Sequence, residues 1–304
     1  FLKTLVAEIE WGLEQREITY DLKWQLNAIY IESVQWKEIS HFLPYVFGVG
    51  SFSVAEVHCE NDYETAKQVG FDFYKDKLKG KSYAVRCRRV GHSTFSPSKM
   101  DLELGRKLRP FAESVNLKDP EVRISIDVHN KRVYFYTERI TGAGGLPAGT
   151  SGKVVGLISG GFDSPVAVWR MLKRGAKVEY VYFNMGGAAS ERLVLQVLKV
   201  IVGLWGGSQA PKLHVVDFKD VVDEMKLKLG QSYRQVILKR LMFMVASRLA
   251  RRVRASAIVT GEAIGQVSSQ TLKNLAAIHM ASTVSVLRPV IGMDKQEIIN
   301  EARK

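Results

Sequence analysis

Residues 159–164 read Ser-Gly-Gly-Phe-Asp-Ser and lie between an apolar run at 154–158 and an amphipathic stretch that begins at Pro165. That pattern is a strand, a glycine turn and a helix start. It bears on chemistry because the first turn of a helix has N–H groups without intrahelical partners, and its macrodipole favours an anion such as phosphate. Gly160 and Gly161 are expected to permit close backbone approach and unusual dihedrals, with Asp163 and Ser164 at the helix N-terminus. The helix then carries Val166, Ala167, Trp169, Met171 and Leu172, and Gly175 suits its C-terminal cap. Two commoner phosphate loops fail on residue type. Pro147 stands where a Walker A loop ending at Gly152-Lys153 needs its first glycine, and Val154 stands where it needs Ser or Thr. Pro147 also occupies the third glycine position of a dinucleotide fingerprint opened by Gly142 and Gly144.

Other polar and aromatic residues fall at the ends of further expected strands. Strands are read at 154–159, 178–183, 213–216, 257–260 and 284–287, with helices between them, including a long one over 233–253. Such alternation predicts a parallel sheet covered on both faces, whose ligands bind at the carboxyl ends of its strands. Tyr182-Phe183 and Thr260-Gly261-Glu262 end two of these strands, Gln270 follows the second, Lys239 lies on the long helix, and Lys295 opens the last one. Cations here could balance polyphosphate and the charge of a departing pyrophosphate. By position alone, Lys239 also reads as a solvated helix lysine, Gln270 as a helix cap or core amide, and Tyr182 and Phe183 as core aromatics.

Upstream, residues 1–48 read as a small α+β unit: a helix with Leu2, Leu5, Val6, Ile9 and Leu13 at helical spacing, two short strands at 17–23 and 26–33 about Asn27, and a helix over 34–45. With a strand near 52–58, this suits a ferredoxin-like sandwich lacking its first strand. Residues 49–141 follow as a helix (62–78), a strand (82–90) with Tyr83, Val85 and Cys87 on one face and Arg86 and Arg88 on the other, a basic helix (99–115), and a hairpin of 122–128 with 132–137. Residues 142–151, rich in glycine with Pro147, have the composition of a hinge.

The chain has 304 residues, 46% hydrophobic content and a formal net charge of +13, which points to an anionic partner, nucleic acid first. No apolar run is long enough to span a bilayer, and no secretory signal is visible. Cys59 and Cys87 are the two cysteines, too few for a disulfide framework or zinc spacing, so a reducing cytoplasm is expected and no metal-ligand set is read. Cys87 is expected to be a buried inert thiol, and His92 and His214 to be structural. The sequence begins at Phe1 and stops at Lys304 within a helical pattern, so residues are expected to be missing at both ends.

The hexapeptide in its strand–helix setting resembles the pyrophosphate loop of the PP-loop ATP pyrophosphatases, which split ATP between its α and β phosphates and adenylate a substrate. The order of residues 49–141, with Arg88-Arg89-Val90-Gly91-His92 leading into Phe95-Ser96, resembles the THUMP domain, an RNA-binding module of tRNA-modifying enzymes. Together with Phe183-Asn184-Met185-Gly186-Gly187, Ile237-Leu238-Lys239-Arg240, the segment Gly261–Thr271 and Asp294-Lys295, nearly the whole chain resembles the tRNA 4-thiouridine synthetase (tRNA sulfurtransferase) family, in a form lacking the rhodanese domain.

The resemblance implies a ferredoxin-like domain (1–48), a THUMP domain (49–141), a hinge (142–151) and a PP-loop catalytic domain (152–304). It implies that ATP with Mg²⁺ is held by Leu157, Ile158, Ser159, Gly160, Gly161, Phe162, Asp163, Ser164, Tyr182, Phe183, Lys239, Gly261 and Gln270. Asp163 and Lys295 would serve adenylation of a tRNA uridine, whose 4-oxygen is then replaced by sulfur. Arg86, Arg88, Arg89, Lys99, Arg106, Lys107 and Arg109 are the expected tRNA phosphate contacts. Partners implied are tRNA and a persulfide-carrying sulfur donor. The oligomeric state, including a homodimer, and a second role in thiamine biosynthesis stay open. Family members usually use a cysteine beyond the region of Lys295, whereas residues 152–304 contain none. Two other readings stay in play: another PP-loop adenylating enzyme, such as a tRNA 2-thiolase or an amidotransferase-type synthetase, and a non-catalytic RNA-binding protein.

Overall fold

The computed structural model describes residues 1–25, 28–90 and 95–303, with the side chains of Gln25 and Ser268 outside the description. Asn27, Gly91 and His92, named above, lie outside the described residues. The chain forms two compact units, one made of Phe1–Gly50 with Gly142–Lys304, the other of Ser51–Thr141.

The first fifty residues hold α1 (Leu2–Glu14), β1 (Asp21–Gln25), β2 (Ala28–Glu32) and α2 (Trp36–Phe42). Leu5, Val6, Ile9 and Leu13 of α1 are buried, as their helical spacing predicts. β1 and β2 pair antiparallel as a two-stranded sheet.

The second unit runs β3 (Ser51–Phe52), β4 (Val57–Glu60), α3 (Tyr63–Tyr74), β5 (Ser82–Arg89), α4 (Pro97–Leu108), β6 (Ser114–Val115), β7 (Val122–Val128), β8 (Arg132–Tyr136) and β9 (Ile140–Thr141). Its main sheet has the order β4-β8-β7-β5-β6, and β3 pairs with β9. The strand expected near 52–58 is therefore two strands with different partners. Asp62 caps α3 by accepting from the Thr65 N–H, 2.9 Å away. The basic helix ends earlier than its periodicity predicts, because Ser114-Val115 pairs with β5 instead.

Residues 142–303 complete the first unit with β10 (Lys153–Leu157), α5 (Asp163–Lys173), β11 (Lys177–Asn184), α6 (Gly187–Trp205), β12 (Leu213–Asp217), α7 (Lys219–Lys228), α8 (Gln231–Arg252), β13 (Ala257–Val259), α9 (Leu272–His279), β14 (Ser285–Leu287) and α10 (Lys295–Ala302). The five strands are parallel, in the order β12-β11-β10-β13-β14. Alternation along the strands supplies two cores. Val154, Val178, Tyr180 and Tyr182 pack with α5, α6 and α10, while Val155, Val181 and Phe183 pack with α8 and α9. Gly175 ends α5 in a left-handed conformation (φ +78°), with the Ala176 N–H donating to Met171 O and the Gly175 N–H to Leu172 O. That is a Schellman cap. Residues 142–149 are tied to this unit: the Gly48 N–H donates to Gly144 O and the Gly144 N–H to Val49 O, both at 2.8 Å, and the Leu146 N–H donates to Lys173 O at 2.9 Å.

The strand order places β10 at the point where the winding reverses, with β11 on one side and β13 on the other. Crevices for ligands form at the carboxyl ends there.

Candidate active site

The loop after β10 is built by its own serines. The Ser164 Oγ accepts from the Ser159 N–H at 2.9 Å and lies 2.9 Å from the Ser159 Oγ, closing 159–164 into a tight cup. Residue 165 is proline, so of the first three residues of α5 only Asp163 and Ser164 present N–H groups. The glycines serve a different end from the one expected. Neither Gly160 nor Gly161 takes a positive φ. Gly160 instead lies close against α6: a Cβ there would lie 2.5 Å from the Leu193 Cδ2, so that exposed side chain would have to move. Phe162, at the N-cap of α5, already has helical geometry (φ −79°, ψ −31°).

A cavity of about 400 Å³ opens beside this cup. Leu157, Ile158, Ser159, Gly160, Asp163, Ser164, Tyr182, Phe183, Lys239, Gly261 and Gln270 all line it, so eleven of the thirteen expected contacts meet there. Gly161 and Phe162 do not; they face a second, apolar cleft of about 240 Å³ with Trp169, Val197 and Trp205. Tyr182 and Phe183 are both buried and point to opposite faces of the sheet, so the core reading of these aromatics also holds. Gln270 is buried, and its Oε1 has no hydrogen-bond partner among the described residues. It is not a helix cap, a part taken by Thr271. Gln270 lines the cavity, and a buried acceptor without a partner beside a cavity is a place for a ligand donor.

Lys239 is not a solvated lysine. Its Nζ donates to the Glu262 Oε1 at 3.1 Å, and the Arg288 Nε donates to the Glu262 Oε2 at 2.9 Å. The Glu262 side chain is only 4% exposed. Sequence reading missed the part of Glu262, although it sits in the Gly261–Thr271 segment that carries the resemblance, and that of Arg288. Lys295 is outside the cavity wall but reaches Asp163, with Nζ 2.8 Å from Oδ1. Asp294 and Glu297 form a capping box that fixes the start of α10 and hence the position of Lys295.

Gly261 is fixed by backbone on backbone. A Cβ at this position would lie 2.5 Å from both the Asp163 C and the Ser164 N. Gly261→Ala is therefore expected to push the first turn of α5 away from β13 and to cost about 1–3 kcal/mol of stability. Thermal unfolding measures it; an unchanged midpoint would show that the contact yields freely.

In the Ser51–Thr141 unit, the expected phosphate contacts are unevenly available. Arg88 donates from Nε and Nη2 to the two carboxylate oxygens of Asp127, both at 2.6 Å. Arg86 Nη2 donates to Leu117 O, Arg109 Nη1 to Ala112 O, and Lys107 Nζ to the Gln68 Oε1. Lys99 lies 4.4 Å over the Tyr63 ring, and Arg89 and Arg106 are exposed. Burial pushes the Cys59 thiol up to about 11 and the Cys87 thiol up to about 12, aided by nearby carboxylates. Both thiols stay protonated near neutrality and are poor nucleophiles. His214 pairs with Glu179 at 2.9 Å. Among the described residues, no group of three or more His, Cys, Asp or Glu is placed to hold a metal ion.

Comparison with known proteins places this geometry. A family model for thiamine biosynthesis protein (ThiI) matches residues 149–304, and one for the THUMP domain matches residues 60–138. A tRNA sulfurtransferase of Desulfurococcus amylolyticus is 36% identical over 99% of this chain and 62% of its own length. One of Thermoplasma acidophilum is 36% identical over 86% of this chain and 54% of its own length. A probable tRNA sulfurtransferase of Saccharolobus islandicus is 40% identical over 85% of this chain and 69% of its own length. The chain thus spans between about half and two thirds of these relatives. A crystal structure of a 4-thiouridine synthetase–RNA complex with bound ATP is similar over 100% of this chain and 79% of that one, with a TM-score of 0.85 and 30% identity. With a parallel sheet, a serine-glycine cup at its switch point and a THUMP unit, the chain belongs to the ThiI family of tRNA sulfurtransferases.

Proposed function

We propose that this chain carries the nucleotide-activating and tRNA-binding parts of an ATP-dependent tRNA sulfurtransferase that forms 4-thiouridine. The observation that carries the reading is the cavity at the end of β10, where the 159–164 cup, the Lys239 ammonium and the unpaired Gln270 Oε1 converge. The residues fit ATP. The cup presents backbone N–H groups for the β and γ phosphates, Gln270 offers an acceptor for an amino group, and Lys239 supplies positive charge. Mg²⁺ would be held by the phosphates with Asp163, which is the cup's carboxylate, and would neutralise charge on the leaving pyrophosphate. Asp163 and Lys295 act as a pair at the cup's rim. The uracil 4-oxygen, once adenylated, would leave with AMP when the terminal sulfur of a partner protein's persulfide attacks C4, and a second thiol would then break the S–S bond, leaving a disulfide and the thiolated base.

The Ser51–Thr141 unit grips tRNA through its basic residues, and a cytoplasmic location and assembly as a homodimer are part of the same proposal. No described helix is long and apolar enough to cross a membrane. The test is ATP–pyrophosphate exchange with and without bulk unmodified tRNA, followed by nucleoside analysis of the tRNA. Exchange that requires tRNA, with 4-thiouridine formed when a persulfide donor is added, is the expected result. Exchange equally fast without RNA, or none with tRNA present, would overturn the reading.

A further inference from the structure

Glu262 sits between two cations, and the way they share it is unequal. The Arg288 Nε holds the Oε2, while the Oε1 is taken by Lys239. In arginine, Nε and Nη2 form the side-on fork that matches both oxygens of a carboxylate. This protein uses that fork elsewhere: Arg88 grips Asp127 with Nε and Nη2, and Arg170 grips Glu301 with Nε on Oε1 and Nη2 on Oε2. At Arg288 the fork is half open. Its Nη2 is buried and has no hydrogen-bond partner among the described residues. Lys239 and Glu262 line the cavity, and the Arg288 side chain is 15% exposed.

We propose that Glu262 and Arg288 are positioning residues that park Lys239 and release it to the nucleotide. This release rests on the ATP reading above. Without nucleotide, the Lys239 ammonium is held at the cavity wall by Glu262. When polyphosphate enters, Lys239 transfers to it, and the Arg288 Nη2 takes the vacated Glu262 Oε1, closing the fork. The buried carboxylate is never left unpaired, which is the costly state such a transfer would otherwise create. Arg288 thereby sets how readily Lys239 can be given up.

The experiment is equilibrium binding of ATP with Mg²⁺ to the wild-type chain and four variants, with circular dichroism and thermal unfolding on each. Lys239→Met is expected to weaken ATP binding. Arg288→Met leaves Lys239 as the sole counter-ion of Glu262, and is expected to raise the Kd by about 10–100-fold. Glu262→Gln frees Lys239 and is expected to bind ATP at least as tightly as wild type. The double variant Glu262→Gln/Arg288→Met is expected to recover most of the affinity lost in Arg288→Met. A merely structural arginine gives no such rescue, because removing a second partner would not repair the fold.

If the wild-type chain binds no ATP, the functional reading itself fails. If it binds ATP but Lys239→Met or Arg288→Met binds it unchanged, or the double variant is no better than Arg288→Met, the release mechanism alone is overturned.

Discussion

Replacing Asp163 by Asn is expected to slow adenylation by about 10²–10³-fold, the scale of losing one preorganised electrostatic group at a reacting centre. Asp163 is the first residue of α5 and lines the cavity beside the cup. Its carboxylate fixes Lys295 at 2.8 Å, and in the proposed site it would also hold a cation on the phosphates. Lys295→Met should give a loss of similar size. Because each holds the other in place, the double variant should be little slower than either single one. Stability should scarcely move. The Lys295 side chain is 52% exposed and that of Asp163 27%, and an ion pair this open to water contributes about 0–1 kcal/mol. Single-turnover formation of AMP on tRNA, beside thermal unfolding, checks both halves. Multiplicative losses would show that the two residues act independently.

What could be read from the sequence is what short-range chemistry decides. The strand, cup and helix at 153–173 follow from an apolar run, two glycines and a helical period within twenty-odd neighbouring residues, and the Gly175 cap from the chain's need for a left-handed residue there. The parallel sheet followed from strand–helix alternation. Pairings between distant residues were not legible. Glu262 and Arg288 are 26 positions apart, and Lys295 and Asp163 are 132 apart; their contacts depend on β13 lying between β10 and β14. Long-range pairing also overrode local pattern at Ser114-Val115, where helical spacing continues but the backbone joins β5. At Gly160 the residue type was informative but the reason was not. A glycine signals either a special dihedral or a crowded Cβ, and only the position of Leu193 distinguishes them.

Binding of tRNA is expected to be steeply dependent on salt. The chain carries a formal net charge of +13, and seven basic residues of the Ser51–Thr141 unit are the proposed phosphate contacts. Not all seven are equally available. Arg88 closes both carboxylate oxygens of Asp127, whose side chain is only 10% exposed, and Lys107 is engaged by Gln68. With about five phosphates neutralised, the slope of log K against log salt is about −3.5 to −4.5, so going from about 50 to about 200 mM salt should weaken binding by about two to three orders of magnitude. The exposed Arg106 is the cleaner probe: Arg106→Ala should flatten the slope by about one and leave the fold intact. Arg88→Ala should differ in kind. It would leave Asp127 with only the Tyr136 hydroxyl, 3.1 Å away, among the hydrogen bonds described for its carboxylate, and should lower stability as well as affinity. Affinity that barely changes with ionic strength would remove these residues from the tRNA contact, since phosphate binding by cations necessarily releases counter-ions.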